Sequence, residues 1–189
     1  QLSSSEMFGG TTGGPYNEDS HLDPKSSYAA AKCFGHHMTK IYRDSYNMFA
    51  STSICFNHEE PGRRGPNFVT RKITLGIADI ITGKIQTLKL GNLDAKRDWG
   101  MASDFCDGMI SILNYTHPDD FVLATGETYS VVDFCRIAFQ HAGLGDYKRF
   151  VRIDPNLYRP NEVKTLVGDA SKAKKILGLE DRTVLLDTF

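Results

Sequence analysis

A tyrosine and a lysine four residues apart, Tyr28 and Lys32, enclose Ala29-Ala30-Ala31. On a helix that spacing puts both side chains on one face. An ammonium beside the phenol would favour the phenolate and make Tyr28 a usable general base. The small residues between them would let reactants approach closely. The same spacing also describes an ordinary exposed pair, so its surroundings must decide. Upstream, Ser3-Ser4-Ser5-Glu6 sets small hydroxyl residues and a carboxylate just before Gly9-Gly10, at what reads as a strand end. Downstream, Arg97 and Arg159 offer planar forks that match anionic oxygens, and Lys72 offers a point charge.

These groups need elements to carry them. Ser26 or Ser27 caps a helix running towards Met48, with Tyr28, Lys32 and His36 on one side. A β-rich run follows from Phe49 to Asn57, then a Gly/Pro/Arg loop from Glu59 to Pro66. Phe68 to Thr82 reads as a helix ended by Gly83. Leu88 to Leu90 is a short strand, Ala102 to Asn114 a helix, and Phe121 to Ala124 a buried strand. Ser130 to His141 is amphipathic, with Val131, Phe134, Ile137 and Ala138 inward and Gly143 as its stop. Phe150 to Ile153 is a further strand. Asp169 is expected to cap a helix from Ala170 to Leu177, stopped by Gly178. Thr11 to Pro15 reads as a surface loop, and Thr183 to Phe189 as the start of a further element. Short apolar runs alternating with helical patterns define an α/β fold class.

A chain of 189 residues supports a real core. Its net charge of -1 gives no bulk attraction to nucleic acid or an anionic membrane surface. No apolar run reaches the length of a membrane span. Residues 1–10 lack the basic start and apolar core of a signal peptide. Cys33, Cys55, Cys106 and Cys135 form no CxxC pair, and no His stands at zinc-finger spacing. They are expected to be reduced, structural thiols of a cytoplasmic protein, with no metal site. The glycine clusters do not form the turn after a strand that receives a pyrophosphate at a helix N-terminus. With Gln1 at the start and an abrupt end at Phe189, the sequence is expected to be truncated, lacking a Gly-rich cofactor half. Removing half of a sheet would expose strand edges, so the isolated chain is expected to be unstable or aggregation-prone.

Ser/Tyr/Lys in this order resembles the short-chain dehydrogenase/reductase superfamily, in its extended branch of nucleotide-sugar epimerases and dehydratases. Glu6 separates the two, because a dehydratase needs a carboxylate to remove a proton and eliminate water, whereas a hydride-only epimerase does not. Further segments resemble the GDP-mannose 4,6-dehydratase family: Phe56-Asn57-His58-Glu59, Arg63 to Lys72, Leu90-Gly91-Asn92-Leu93-Asp94-Ala95-Lys96-Arg97-Asp98-Trp99-Gly100, and Tyr158-Arg159-Pro160-Asn161-Glu162-Val163 followed by Gly168 to Ala173. They span almost the whole chain in the family's order, and the long string ending in Trp99-Gly100 is far more specific than YxxxK. Departures include Gly62 as a one-residue insertion, Met101 for the usual His, Phe105-Cys106 for Tyr-Val, Ser4 for Thr, and a short stretch between Gly143 and Tyr158.

The resemblance implies the second half of a Rossmann-like doubly wound sheet plus a small α/β substrate-binding domain. Residues 1–58 would finish the dinucleotide-binding domain, and 59–189 would be mostly the nucleotide-sugar region, with some segments returning to the core. Ser4, Glu6, Tyr28 and Lys32 would be catalytic. Tyr28, Lys32, His58 and either Arg63 or Arg64 would lie along NADP. Asn57, Asn67, Lys72, Arg97, Arg159 and Glu162 would hold GDP-mannose, with the diphosphate also meeting the helix after Asn67. A carboxylate such as Glu162 can accept from guanine or sugar donors. The family also implies a homo-oligomer, dimer or tetramer. Two other readings stand beside this one: another nucleotide-sugar epimerase or dehydratase, and a non-catalytic module that binds a sugar nucleotide.

Overall fold

The structure is a computed structural model that describes residues 1–10, 12–62, 64–159, 161–181 and 183–188. Strand β1 (Leu2–Ser4) runs straight into a single 3-10 turn, Ser5–Phe8. Helix α1 (Ser27–Tyr46) starts where the Ser26 side chain accepts from the Ala29 amide, and ends at Asn47 in the left-handed region. Strands β2 (Thr52–Cys55) and β3 (Asn57–Glu59) follow, separated by Phe56. Helix α2 covers Val69–Ile81. Strands β4 (Leu88–Leu90), β5 (Lys96–Arg97) and β6 (Trp99–Met101) lead into helix α3 (Ala102–Asn114). Then come β7 (Asp120–Leu123), β8 (Tyr129–Ser130) and α4 (Val131–His141), whose N-terminus carries a capping box between Ser130 and Asp133. Strands β9 (Val151–Ile153) and β10 (Thr165–Leu166) and helix α5 (Ser171–Leu177) complete the set.

The helices predicted from periodicity and caps are present within a residue or two of their expected bounds. One cap differs. Helix α5 has Ala170 as its N-cap, with no side-chain bond from that position. Asp169 sits one residue earlier, and its Oδ1 accepts from the Ser171 amide at 2.9 Å, an Asx turn rather than a helix cap. Cys106 also departs from expectation: it is exposed on α3, while Cys33, Cys55 and Cys135 are buried thiols. The loop predicted at Thr11 to Pro15 is irregular where it is described, and Thr11 lies outside the described residues. Leu185–Thr188 forms a 3-10 turn; Phe189 lies outside the described residues.

Strands β1, β2 and β7 make a parallel sheet in the order β1-β2-β7, with β1 at an edge among the described residues. Parallel neighbours need crossovers, and helices from them pack back on the strands, α1 on β1 and α3 on β2 and β7, while α5, later in the chain, also packs on β7. Strand β5 lies between β10, parallel, and β8, antiparallel. Strands β3 and β6 pair in parallel, as do β4 and β9.

Two hydrophobic clusters result. The first joins Met7, Phe8, Tyr16, Ile54 and Phe56 to Phe105, Phe121–Ala124, Leu166 and Ala173. The second joins Ile73, Ile77, Leu88 and Leu90 to Trp99, Phe134, Phe139, Val151, Leu185 and Leu186. Asp98 lies at the junction and is fully buried. Its Oδ1 accepts from the Thr125 amide (2.9 Å) and hydroxyl (2.7 Å), and its Oδ2 from the amides of Gly126 (2.9 Å) and Gly168 (3.2 Å). Burial pushes this carboxyl above the usual range, and the four donors pull it partly back. The carboxylate thereby ties the ends of β5, β7 and β10 together.

His36, on the inner side of α1, is 9% exposed, and its Nδ1 has no hydrogen-bond partner among the described residues. Burial lowers its pKa below 6.5, with Asp120 opposing and His37, Arg43 and Lys40 adding to the fall. The folded chain therefore keeps the ring neutral where the unfolded chain protonates it. The sign follows: stability is full above 6.5 and is lost as pH falls from 6.5 towards the folded value. A fall in thermal midpoint between pH 7 and pH 5.5 is expected, and His36→Leu should flatten it. An unchanged slope in that variant would assign the acid loss to other groups.

Candidate active site

The turn after β1 is built to present a carboxylate. Ser4 caps it, its Oγ accepting from the Glu6 amide at 3.3 Å, and Gly9 (φ 65°) ends it. Met7 and Phe8 are buried in the first cluster, so the turn is anchored on one side while Glu6 lines the cavity on the other. A side chain at Gly9 would meet the Asp23 carbonyl at 1.9 Å, which shows how closely the next segment lies over this turn.

Helix α1 brings Tyr28 and Lys32 to the same place. Tyr28 is 55% exposed. The Lys32 ammonium lies 5.6 Å from the Tyr28 ring centroid and donates to the Leu2 carbonyl at 2.8 Å. It thus ties α1 to β1, the strand that leads to Ser4 and Glu6. Of the three alanines between the pair, Ala29 faces the core while Ala30 and Ala31 are exposed.

Strand β3 supplies the next wall. The His58 Nδ1 donates to the Phe56 carbonyl at 2.7 Å, and its ring stacks on Phe105 at 4.7 Å between centroids. The buried Glu59 accepts from Arg64 Nε at 3.0 Å. Arg64 Nη2 donates to the His58 carbonyl at 3.1 Å, and the guanidinium stands 4.6 Å over the Phe68 ring. Arg64 is therefore held on three sides at the cavity wall. Arg63, the other candidate for the cofactor role, lies outside the described residues. The Asn57 Oδ1 is buried without a hydrogen-bond partner among the described residues.

Opposite stands an anion-binding wall. Helix α2 begins at Phe68 with no side-chain cap bond, so its first amides are not consumed by a neighbour's side chain. Asn67, Phe68, Val69, Thr70 and Lys72 line the cavity there. Arg97 is 9% exposed. Its Nη1 donates to the carbonyls of Lys96 (2.8 Å) and Val163 (2.9 Å), which leaves Nε and Nη2 without a bond to the described residues. Burial lowers its pKa, the Glu6 and Glu162 carboxylates favour its charge, and Arg159 opposes it. An anion at the open side of the fork would restore what burial removes.

Apart from Arg63, which is not described, the site residues chosen from the sequence line one cavity of about 860 Å³: Ser4, Glu6, Tyr28 and Lys32 on the first wall; Asn57, His58 and Arg64 on the second; Asn67, Lys72, Arg97, Arg159 and Glu162 around the third. A smaller chamber of about 330 Å³ opens beside it and shares Glu6, Ser26, Arg97 and Arg159. Sequence reasoning passed over Glu59 as a partner for Arg64 and Asp98 as the brace behind Arg97. Their signal was available, since each is a carboxylate inside a quoted motif. It also passed over Lys25, which lines the smaller chamber. Among the described residues, no cluster of His, Cys, Asp and Glu is suited to a metal ion.

The fold is that of enzymes acting on nucleotide sugars. It matches DesIV, a dTDP-glucose 4,6-dehydratase from Streptomyces venezuelae, with a TM-score of 0.85 at 23% identity over 99% of this chain and 56% of that one. It matches RMD from Pseudomonas aeruginosa with a TM-score of 0.83 at 17% identity over 95% of this chain and 59% of that one. The sequence narrows the class: the family model of GDP-mannose 4,6 dehydratase matches residues 1–188, and the chain belongs to that family. GDP-mannose 4,6 dehydratase 2 of Arabidopsis thaliana is 49% identical over 178 residues, 94% of this chain and 47% of the relative. The Homo sapiens GDP-mannose 4,6 dehydratase is 42% identical over 198 residues, 96% of this chain and 53% of the relative. The chain spans about half the length of these relatives.

Proposed function

We propose that this chain carries the catalytic and substrate-binding part of a GDP-mannose 4,6-dehydratase, which converts GDP-mannose to GDP-4-keto-6-deoxymannose. One observation carries the reading. A carboxylate, a hydroxyl and a Tyr–Lys pair line one wall of a cavity whose other wall is an open Arg97 fork beside an uncapped helix N-terminus. The Arg97 wall suits a diphosphate, and the Glu6 and Tyr28 wall suits acid–base work on the sugar attached to it.

Tyr28 takes the proton from the mannose 4-hydroxyl. Lys32, fixed to the Leu2 carbonyl, keeps two further donors for a cofactor ribose. A nicotinamide held by Tyr28, Lys32, His58 and Arg64 would supply reversible hydride transfer to the sugar. Glu6 removes the proton at C5, which the 4-ketone has made acidic, and helps the 6-hydroxyl leave as water. Ser4 hydrogen-bonds the reacting oxygen. Arg97, Arg159, Lys72 and Asn67 hold the diphosphate, and Glu162 and Asn57 serve the polar groups of the nucleotide and sugar. A hydride-only epimerase has no use for a carboxylate at Glu6.

Tyr28, Lys32, His58 and Arg64 suit the nicotinamide end of a dinucleotide, since His58 and Arg64 are rigidly held at the wall next to the Tyr–Lys pair. DesIV was solved with NAD and RMD with NADPH; NADP is the cofactor proposed here, from the family resemblance. Residues 1–58 would belong to the cofactor side and most of 59–189 to the nucleotide-sugar side. A homo-oligomer fits the apolar residues exposed along α1, such as Phe34 (68%) and Tyr46 (67%). A cytoplasmic setting fits four cysteines that are all free. Among the described residues no helix is long and apolar enough to cross a membrane.

The test is incubation of the chain with GDP-mannose and NADP+, following loss of one water from the sugar nucleotide by mass spectrometry. Water loss is the expected result for a complete site. GDP-mannose binding without water loss would restrict the chain on its own to substrate binding, and absence of binding would overturn the reading.

A further inference from the structure

We propose that the smaller chamber is a subsite for hexose hydroxyls, with Lys25 as its specificity-determining donor; this rests on the sugar-nucleotide reading above. The chamber opens off Glu6, the group proposed to work on the sugar, and is closed by Lys25, Ser26, Asn161 and Val163. Lys25 is held in place rather than free to sweep. Its ammonium pairs with Asp23 Oδ2 at 2.6 Å, and the Asp23 amide donates to the Met7 carbonyl at 2.8 Å. The segment carrying Lys25 is thus stitched to the same turn that presents Glu6. The Gly9 Cα lies in the contact: a Cβ built there would stand 3.3 Å from Lys25 Cε.

Arg97 and Arg159 also line the chamber, on the side it shares with the larger cavity, and are taken by the diphosphate in the reading above; the rest of the lining fits neutral hydroxyls better than a second anion. Asp23 already neutralises the Lys25 charge, so what remains is two N–H donors of modest net field. Ser26 spends its oxygen lone pair on the Ala29 amide and keeps its O–H to donate. Glu6 accepts, and the Asn161 amide both donates and accepts. Such a mixed set matches a sugar hydroxyl, which must give one hydrogen bond and take others. Val163, 6% exposed, gives an apolar wall for a C–H face of the ring. A bare cluster of cations would offer donors alone.

Three proteins test this: the unaltered chain, Lys25→Met and Lys25→Arg, each titrated with GDP-mannose and with GDP by calorimetry, with thermal midpoints recorded. The half-exposed Asp23–Lys25 pair contributes little to stability, so the midpoints should agree closely. Lys25→Met should bind GDP-mannose about tenfold more weakly with GDP affinity unchanged, and Lys25→Arg should recover most of the loss. An equal loss for both ligands would place Lys25 on the diphosphate and overturn the subsite. So would equal affinity of all three proteins for GDP-mannose. If the unaltered chain bound neither ligand, the sugar-nucleotide reading itself would fall, and the subsite with it.

Discussion

Replacing Glu6 by Gln, in a form of the protein that turns over GDP-mannose, should slow loss of water roughly a thousandfold. The amide keeps the size of the carboxylate but cannot take the C5 proton. Tyr28 and Lys32 are untouched, so oxidation at C4 should persist and appear as a single turnover of nicotinamide reduction that goes no further. Substrate affinity should change little. Glu6 is one of two carboxylates that favour the Arg97 charge, and Glu162 remains to do so. Retention of full dehydratase activity would remove Glu6 from the mechanism. Loss of C4 oxidation as well would show that Glu6 orders the site instead of acting as its base.

The second large effect is on stability. Asp98→Asn should cost about 3 kcal/mol and lower the thermal midpoint by roughly 6–12 °C. The four hydrogen bonds to Asp98 all come from donors: two atoms of Thr125 and the amides of Gly126 and Gly168. An asparagine oxygen can serve one pair. Its NH₂ would then face the other pair donor against donor, and two buried groups would lose their acceptor. Gly168 cannot move away to relieve this, since a Cβ there would lie 2.3 Å from the Ala124 Cβ and the backbone is already in contact. The measurement is thermal or urea unfolding of both proteins. A midpoint shift under 2 °C would mean that water or a loop shift satisfies these donors.

How much of this was legible in the sequence varied with the origin of each feature. Helices α1 to α4 were read nearly to the residue because their apolar period and their caps are local. The Ser130–Asp133 box and the glycines at positions 83 and 143 are written within a few positions of the turns they control. Strands β3, β5, β6, β8 and β10 were missed, with Glu59 closing β3 where a loop was expected. None exceeds three residues, and Lys96–Arg97 has no apolar alternation to betray it. They exist because distant partners arrive: the Lys96 amide reaches the Lys164 carbonyl, and the Asp98 amide the Leu166 carbonyl. Asp169 was misassigned because an Asx turn and a helix cap share one sequence signature a residue apart.

For the cavity, the residue types chosen from motifs converge on a single place, which needs only that the chain fold as its family does. Their partners were harder to foresee. Arg64 and Glu59 are five residues apart, on no regular period, and only the path of the loop brings them to 3.0 Å. Lys32 was expected at the Tyr28 hydroxyl; its hydrogen bond goes to the Leu2 carbonyl, thirty residues away in the chain, a contact that strand–helix packing alone decides. Lys25 was hidden beside the more familiar Ser26.

The two clusters are interleaved along the chain, and this has a consequence during synthesis. The first draws residues from Met7 to Ala173, and the second from Ile73 to Leu186. The turn bearing Glu6 is made well before Phe121–Ala124 and Leu166, the residues that complete the cluster holding Met7 and Phe8. Trp99 and Phe134 in turn wait for Leu185 and Leu186. Neither core can close until these distant residues have been made, so the nascent chain carries unburied aromatic surface over that interval.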